Sequence, residues 1–296
     1  MEQLHMKKQN TAKLMLSLSM IIFGTLGLFT RNIPVGSGEL ALYRAILASV
    51  LIAGYFGVTR QKINFKAIKR ELLFLLFSGM AMGINWILLF EAYKYTSISN
   101  ATLSYYFAPV LVTIVCPFLF RERLGKRQLV CFALSTLGLI FIIGFEGMNG
   151  GQHLKGILLG LGAAFFYATV IIINKFIKNV EGMQRTFLQF LAAIIILLPY
   201  VISTGEISLK LLDTKGWACL LTVGLIHTGI TYCMYFSALK EMKGQEIAIL
   251  SYLDPLVAVV VSVVILGEGL TIWQLLGGIL ILGCTLWNEK RENVDK

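Results

Sequence analysis

The chain alternates long apolar stretches with short polar connections along its whole length. Ten apolar stretches, called segments 1 to 10 in chain order, fall at roughly 13–31, 38–58, 71–94, 98–120, 127–145, 156–177, 186–203, 216–238, 246–266 and 272–288. Each is about as long as the roughly 20 residues that a membrane-spanning helix needs. None shows the polar–apolar alternation of a membrane β-strand. The pattern therefore predicts an all-α membrane protein with ten transmembrane helices.

Composition agrees with a lipid environment. The chain is 57% hydrophobic and only 14% charged, whereas soluble domains are about a quarter charged. Segment 1 is followed by "TRNIPVG" and not by a small-residue cleavage site, so we interpret it as a retained helix. The cysteines lie inside the segments without a C-x-x-C pair, which indicates apolar packing and neither a disulfide nor a metal site. They are Cys116, Cys131, Cys219, Cys233 and Cys284.

Positive charge is distributed unevenly between the two sides of the predicted membrane. With the N-terminus in the cytoplasm, twenty Lys and Arg residues fall on the cytoplasmic side and five outside. This is the positive-inside bias of membrane proteins. The net charge of +10 is thereby explained without a nucleic-acid partner. We expect a multi-pass protein of the cytoplasmic membrane, embedded in the lipid bilayer, with both termini in the cytoplasm.

An internal repeat appears when the sequence is shifted by 146 positions. Between residues 90 and 134, 11 of 45 positions are identical to their counterparts without a gap. Leucine matches are common in apolar sequence, but matches such as Tyr106/Tyr252, Pro109/Pro255 and Glu122/Glu268 are not. Such self-similarity indicates duplication.

The repeat predicts two domains of five helices each, at residues 1–146 and 147–296. Because five is odd, the two copies must cross the membrane in opposite directions. Inverted repeats of this kind are typical of secondary transporters, which bind substrate near the midplane between the halves.

These residues resemble the EamA type of the drug/metabolite transporter superfamily. The resemblance rests on "NWILLFEAYKYTSISNATLSYYFAP" and on its counterpart in the second repeat, "LSYLDPLVAVVVSVVILGEGL". It also rests on "ERL" at 122–124 and on Arg44 in "ALYRAILAS". Phe23-Gly24 departs from the Trp-Gly that the family often has in segment 1. The resemblance implies a cytoplasmic-membrane transporter of small metabolites, often an exporter of amino acids, with a central cavity lined by segments 1, 3, 4, 6, 8 and 9.

Asp254 is the strongest candidate for a substrate-binding residue. It lies about eight residues into segment 9, or about 12 Å deep, and charges at that depth are costly and usually functional. The adjacent Pro255 removes a backbone N–H and loosens the helix. Asp254 is expected to bind a substrate ammonium or to carry a proton; the alternative is a protonated side chain bonded to a neighbouring helix.

Further candidates come from segment 8 and its repeat partner. His227, Thr231 and Tyr235 are spaced for one helix face, and His227 is a candidate proton site. Thr231 and the adjacent Tyr232 match Asn85 and Trp86 of segment 3 under the repeat. We expect both pairs to line the site, with packing as the alternative.

Other candidates are aromatic residues and one charge pair. Tyr105, Tyr106, Tyr167 and Tyr252 are candidate contacts for a cationic group, again with packing as the alternative. Arg44 and Glu91 both fall near the outer ends of their segments, where a salt bridge between them would be structural or would gate the site.

Together these features predict a secondary active transporter, an exporter or exchanger, of small polar metabolites such as amino acids. The alternative is a carrier of quaternary or primary amines with an aromatic cage and an acidic counter-charge. Protons are the candidate coupling ion, and no cofactor is expected. We do not expect an enzyme, because no HExxH, GxSxG, Walker or GxGxxG motif stands in a suitable context and Asp254 has no second acid nearby.

Overall fold

The protein is described by a computed structural model at residues 2–60, 65–120, 126–147, 151–180, 182–204, 208–239, 250–251 and 253–292. All regular structure within these ranges is helical, because a chain in lipid must satisfy its backbone hydrogen bonds within the segment. The first five segments correspond to the helices α1 (Glu2–Gly24) with α2 (Leu26–Thr30), α3 (Ser37–Thr59), α4 (Phe65–Tyr95), α5 (Ile98–Tyr105) with α6 (Ala108–Phe120), and α7 (Lys126–Gly147).

The second five segments contain two π-helices. They correspond to α8 (Gln152–Asn174), α9 (Gly182–Thr204), α10 (Thr214–Leu221) with the π-helix Thr222–Ile230 and α11 (Thr231–Leu239), α12 (Leu253–Val260) with the π-helix Val261–Ile265, and α13 (Ile272–Glu292). The prediction of an all-α membrane protein built from these segments is confirmed. Six helices in the described ranges are long and apolar enough to cross a membrane, and three shorter apolar helices accompany them.

Segment 4 is interrupted where α5 ends and α6 begins. Pro109 has no N–H to donate to the carbonyl of Tyr105, so the α-helical ladder fails at this turn. The chain tightens locally, with the N–H of Phe107 donating to the carbonyl of Ser104 at 3.1 Å. The interruption separates the polar helix α5 from the apolar helix α6.

Close helix crossings bring the segments together. Helix α4 packs on α8 and α9, α3 packs on α9 and on the π-helix Thr222–Ile230, and α1 packs on α11 and α12. A Cβ at Gly79 would meet the carbonyl of Gln189 and the side chain of Ala192, and a Cβ at Gly24 would lie 2.5 Å from the carbonyl of Asp254. Glycine at position 24 therefore lets α1 lie directly against the backbone of the candidate site.

Candidate substrate site

Two oppositely charged side chains lie within the bundle. Arg44 is buried on α3 and Asp254 is partly buried in α12. Arg44 lies seven residues after the start of α3, and Asp254 lies eleven residues before Ile265, which corresponds to depths of about 10 and 16 Å. A bilayer core is about 30 Å thick, so both charges fall at depths inside the hydrocarbon core of a membrane. Charges at such depths mark functional sites by default.

The guanidinium of Arg44 is held by three contacts. Its Nε donates to Thr228 Oγ1 at 3.0 Å, and its Cζ lies 4.4 Å from the ring centroid of Trp86 and 5.2 Å from that of Phe90. Thr228 itself belongs to the π-helix and donates to the carbonyl of Val223 at 2.8 Å. Within the described ranges, the two terminal nitrogens of Arg44 have no hydrogen-bond partner. They are therefore available to an anionic group.

Asp254 has one partner among the described residues. The hydroxyl of Tyr106 donates to its Oδ2 at 2.6 Å, and no other described residue donates to its carboxylate. Since an ionised carboxylate can accept about four hydrogen bonds, most of its capacity is free. Asp254 is therefore available to a cationic group.

Several tyrosines lie near both charges. The hydroxyls of Tyr93, Tyr105 and Tyr232 interact electrostatically with both Arg44 and Asp254. With Tyr106 they form what we call the tyrosine cluster. Arg44 and Asp254 do not form an ion pair with each other, so the charges face one cluster from separate positions.

The aromatic candidates Trp86, Tyr105, Tyr106, Tyr167 and Tyr232 lie on or beside this cluster. Trp86 is buried under Arg44. Tyr167 stacks on Tyr105 with ring centroids 5.1 Å apart. Tyr232 packs on Phe23 of α1 at 5.2 Å. The phenylalanine that departs from the family pattern thus still supplies an aromatic contact. Tyr252 lies outside the described residues.

The polar candidates of segments 3 and 8 are engaged in helix contacts. The amide of Asn85 donates to the carbonyl of Ala163 at 2.6 Å, and Thr231 donates to the carbonyl of Ile226 at 2.7 Å. His227 Nε2 lies 3.0 Å from Thr25 Oγ1. Asn85 and His227 therefore join neighbouring helices, whereas Thr231 bonds within its own helical segment, and none of the three adds to the tyrosine cluster.

Two further candidates lie apart from the two charges. Tyr235 packs against Phe23 and Phe236. The suggested salt bridge between Arg44 and Glu91 does not form. Glu91 instead accepts from Ser37 Oγ at 2.5 Å and pairs with Lys94 at 3.0 Å. Glu91 is thus occupied by other partners, although it directly follows Phe90 in α4.

Sequence reasoning missed Tyr93 and Thr228. Trp86, Phe90 and Tyr93 are spaced i, i+4 and i+7, which places them on one face of α4, and this spacing could have identified Tyr93. No sequence signal identifies Thr228, because its contact with Arg44 depends on the π-helix and joins residues 184 positions apart.

A multi-helix bundle with opposite charges in its core is typical of membrane transporters. The model of the EamA-like transporter family matches residues 10–144 and 154–288. The chain belongs to that family, and hence to the drug/metabolite transporter superfamily.

Individual relatives agree with this class. The chain is 32% identical over 277 residues to the uncharacterized transporter YxxF of Bacillus subtilis (strain 168), covering 93% of this chain and 88% of the relative. It is 33% identical over 178 residues to a probable amino-acid metabolite efflux pump of Salmonella typhimurium, covering 56% of this chain and 58% of the pump. A solved crystal structure shares the fold with a TM-score of 0.65 at 17% identity, covering 93% of this chain and 95% of that chain.

Proposed function

We propose that this transporter is a secondary active carrier that exports or exchanges amino acids or related zwitterions by alternating access. The observation that carries the proposal is the placement of Arg44 and Asp254 against one tyrosine cluster without an ion pair between them. A free α-amino acid carries one carboxylate and one ammonium. The two protein charges are complementary to these two groups.

The contacts support a division of roles. A guanidinium can bind a carboxylate through two parallel N–H bonds, and the terminal nitrogens of Arg44 are available for this. Asp254 can accept from the ammonium through Oδ1 while Oδ2 keeps the bond from Tyr106. Unpaired charges in a low dielectric are costly, so a bound zwitterion would relieve both at once.

The proposal also covers the movement of the two halves, the topology and the direction of transport. The halves 1–146 and 147–296 would move against each other around the site, as inverted repeats do in other carriers. The positive-inside bias supports placing both termini in the cytoplasm. The relative that is named an amino-acid metabolite efflux pump supports export as the direction.

A carrier of primary or quaternary amines is the second candidate. Tyr105, Tyr106 and Tyr167 present aromatic rings next to Asp254, and such rings attract cations. In this candidate Asp254 supplies the counter-charge and Arg44 only anchors helices. The two candidates therefore differ in what they require of Arg44.

Counterflow in proteoliposomes would test the proposal. Vesicles containing the purified protein are loaded either with unlabelled amino acids or with unlabelled choline, and uptake of the corresponding radiolabelled substrate is measured in each. The same assay is run on Asp254→Asn and Arg44→Gln. Thermal unfolding in detergent provides a binding readout, because a ligand at 100 times its Kd stabilises by about 2.7 kcal/mol.

The two candidates give different results. A zwitterion carrier exchanges amino acids, and both variants lose exchange. An amine carrier takes up choline, loses uptake in Asp254→Asn and keeps it in Arg44→Gln. Amino-acid exchange that survives in both variants would overturn the site, and absence of any amino-acid counterflow in the wild type would overturn the function.

A further inference from the structure

We infer that the contact between α5 and the α12 segment is a proton route that connects Glu268, at one end of the bundle, with Asp254 in its core. The inference rests on the proposed function, since it names the coupling ion and its path to the same site. It is carried by a row of buried hydroxyls between the two carboxylates.

Glu268 forms the outer end of this row. The π-helix ends at Ile265, and Gly267 follows with a φ of 65°, which returns the chain so that the N–H of Glu268 donates to the carbonyl of Ser262 at 3.0 Å. The carboxylate of Glu268 pairs with Arg31 and accepts from the hydroxyl of Ser262. It also accepts from the N–H of Ile98 at 2.9 Å. Arg31 is 36% exposed, so this end can exchange protons with water.

Two cross-helix contacts define the register of α5 against α12. The N–H of Ser99 donates to Ser262 Oγ at 3.3 Å, and the hydroxyl of Tyr106 donates to Asp254 at 2.6 Å. Ser99 lies opposite the outer end and Tyr106 opposite the inner end, so the helices run antiparallel. Seven residues of α-helix separate the two contacts by about 10 Å.

Hydroxyl groups occupy the interval between these contacts. Ser99, Thr102 and Tyr106 are spaced i, i+3 and i+7, which places them on one face of α5. Ser99 Oγ and Thr102 Oγ1 are both buried without a hydrogen-bond partner among the described residues. Buried hydroxyls need partners, and water is the usual one at a polar helix contact. Because a hydroxyl both donates and accepts, hydroxyls bridged by water can pass a proton.

The surroundings of Asp254 favour the carboxylate as the end of the route. The groups that face it are the hydroxyls of the tyrosine cluster, with Arg44 beyond them and the backbone of α1 at Gly24. None of these is a stronger base than a carboxylate, so a proton that arrives through Tyr106 is held on Asp254. The proton removes the charge that would hold a substrate ammonium. Proton and amino acid therefore exclude each other from the site, which is the requirement for antiport.

The test separates exchange from proton coupling. Amino-acid counterflow needs no net proton movement, whereas accumulation driven by an inside-acid pH gradient does. Both are measured in proteoliposomes with a radiolabelled amino-acid mixture, and a pH-sensitive dye inside the vesicles reports proton movement. The variant is Thr102→Val, which keeps the shape of the side chain and removes its hydroxyl.

Two matched variants control for packing. Thr102→Ser restores a hydroxyl, and Ser104→Ala removes one from the same helix. Ser104 is equally buried but faces α8, where a Cβ at Gly160 would lie 3.1 Å from its own Cβ. We expect Thr102→Val to lose pH-driven accumulation by about tenfold or more while counterflow changes less than about twofold. Thr102→Ser and Ser104→Ala should resemble the wild type.

Any other result would contradict proton coupling, the proton route or the proposed function. Wild-type protein that exchanges amino acids but does not accumulate them with a pH gradient would overturn proton coupling. Normal accumulation by Thr102→Val, or equal loss of both activities in that variant, would overturn the route. Absence of counterflow in the wild type would instead overturn the proposed function.

Discussion

Glu71 and Asp254 are both carboxylates within the bundle, but their hydrogen bonds differ. Glu71 is 6% exposed and lies near the start of α4. It accepts from the backbone N–H groups of Lys178, Asn179 and Val180 at 2.9 to 3.2 Å, and from the side-chain amide of Asn179 at 2.8 Å. Asp254 accepts from one tyrosine hydroxyl.

The difference separates a structural carboxylate from one available to a ligand. Glu71 uses its acceptor capacity on the connection between α8 and α9. Arg185 binds the same connection from the other side through the carbonyls of Ile177 and Val180. Asp254 keeps its capacity for a group that is not part of the chain. The number of protein donors around these two carboxylates thus indicates whether each can bind a substrate group, and each prediction below tests that rule.

The largest expected effect is on stability. Glu71→Ala leaves three backbone N–H groups without their acceptor, and each unsatisfied group costs about 1–3 kcal/mol when buried. Since these groups lie near an end of the bundle, where water can replace part of the loss, we expect the free energy of unfolding to fall by about 2–4 kcal/mol. Thermal unfolding in detergent measures it. Glu71→Gln retains an acceptor and should lose less. An unchanged Tm in Glu71→Ala would contradict the structural role of this carboxylate.

Asp254→Asn should affect transport and not stability. A charge-assisted hydrogen bond is worth about 1.5–3 kcal/mol, so we expect amino-acid exchange to fall roughly 10- to 100-fold. The Tm should stay near that of the wild type, because one hydroxyl is the only described donor. Asp213→Asn is the matched control, since Asp213 caps α10 through the N–H of Gly216 and asparagine caps equally well. A fall in Tm as large as that of Glu71→Ala would contradict the rule.

Tyr106→Phe removes the one described donor to Asp254 and keeps the ring. We expect KM for exchange to change by up to about tenfold, the equivalent of a hydrogen bond of about 1.4 kcal/mol. Initial rates of counterflow at several substrate concentrations measure this effect. Tyr55→Phe, on the exposed side of α3, should leave KM unchanged. Identical kinetics in Tyr106→Phe and the wild type would show that this hydroxyl does not act on the site.

The smallest effect is expected when one of the several donors to Glu71 is removed. Asn179→Ala removes the side-chain bond and leaves the three backbone donors in place. We expect a loss of about 0.5–1.5 kcal/mol of unfolding free energy and no change in exchange per folded molecule. Thermal unfolding and counterflow on the same preparation measure the two quantities. A loss equal to that of Glu71→Ala would mean that the amide carries the whole connection.

Much of the fold was predictable because lipid imposes a simple rule on sequence. A span must be apolar and helical, so hydropathy places segments 2 and 10 almost where α3 and α13 are found. The π-helices were not predictable, because one extra residue leaves the hydropathy unchanged. Asp254 and Arg44 differ likewise in how far the sequence predicted their roles. Depth identified Asp254, whereas Arg44 was expected near the outer end of its segment beside Glu91, and only packing reveals that it bonds to Thr228 instead.

The π-helix Thr222–Ile230 has a consequence for engineering the length of this segment. A π-helix corresponds to an α-helix that has accepted one added residue. Deleting one residue within 222–230 would restore the α-helical ladder and would turn the preceding residues by about 100° relative to the following ones. Thr228 could not then reach Arg44 while Tyr232 stays on Phe23. The hydrogen bond that anchors Arg44, the only positive charge described within the core, therefore depends on the extra residue of the π-helix, and single-residue deletions across 222–230 would test this dependence.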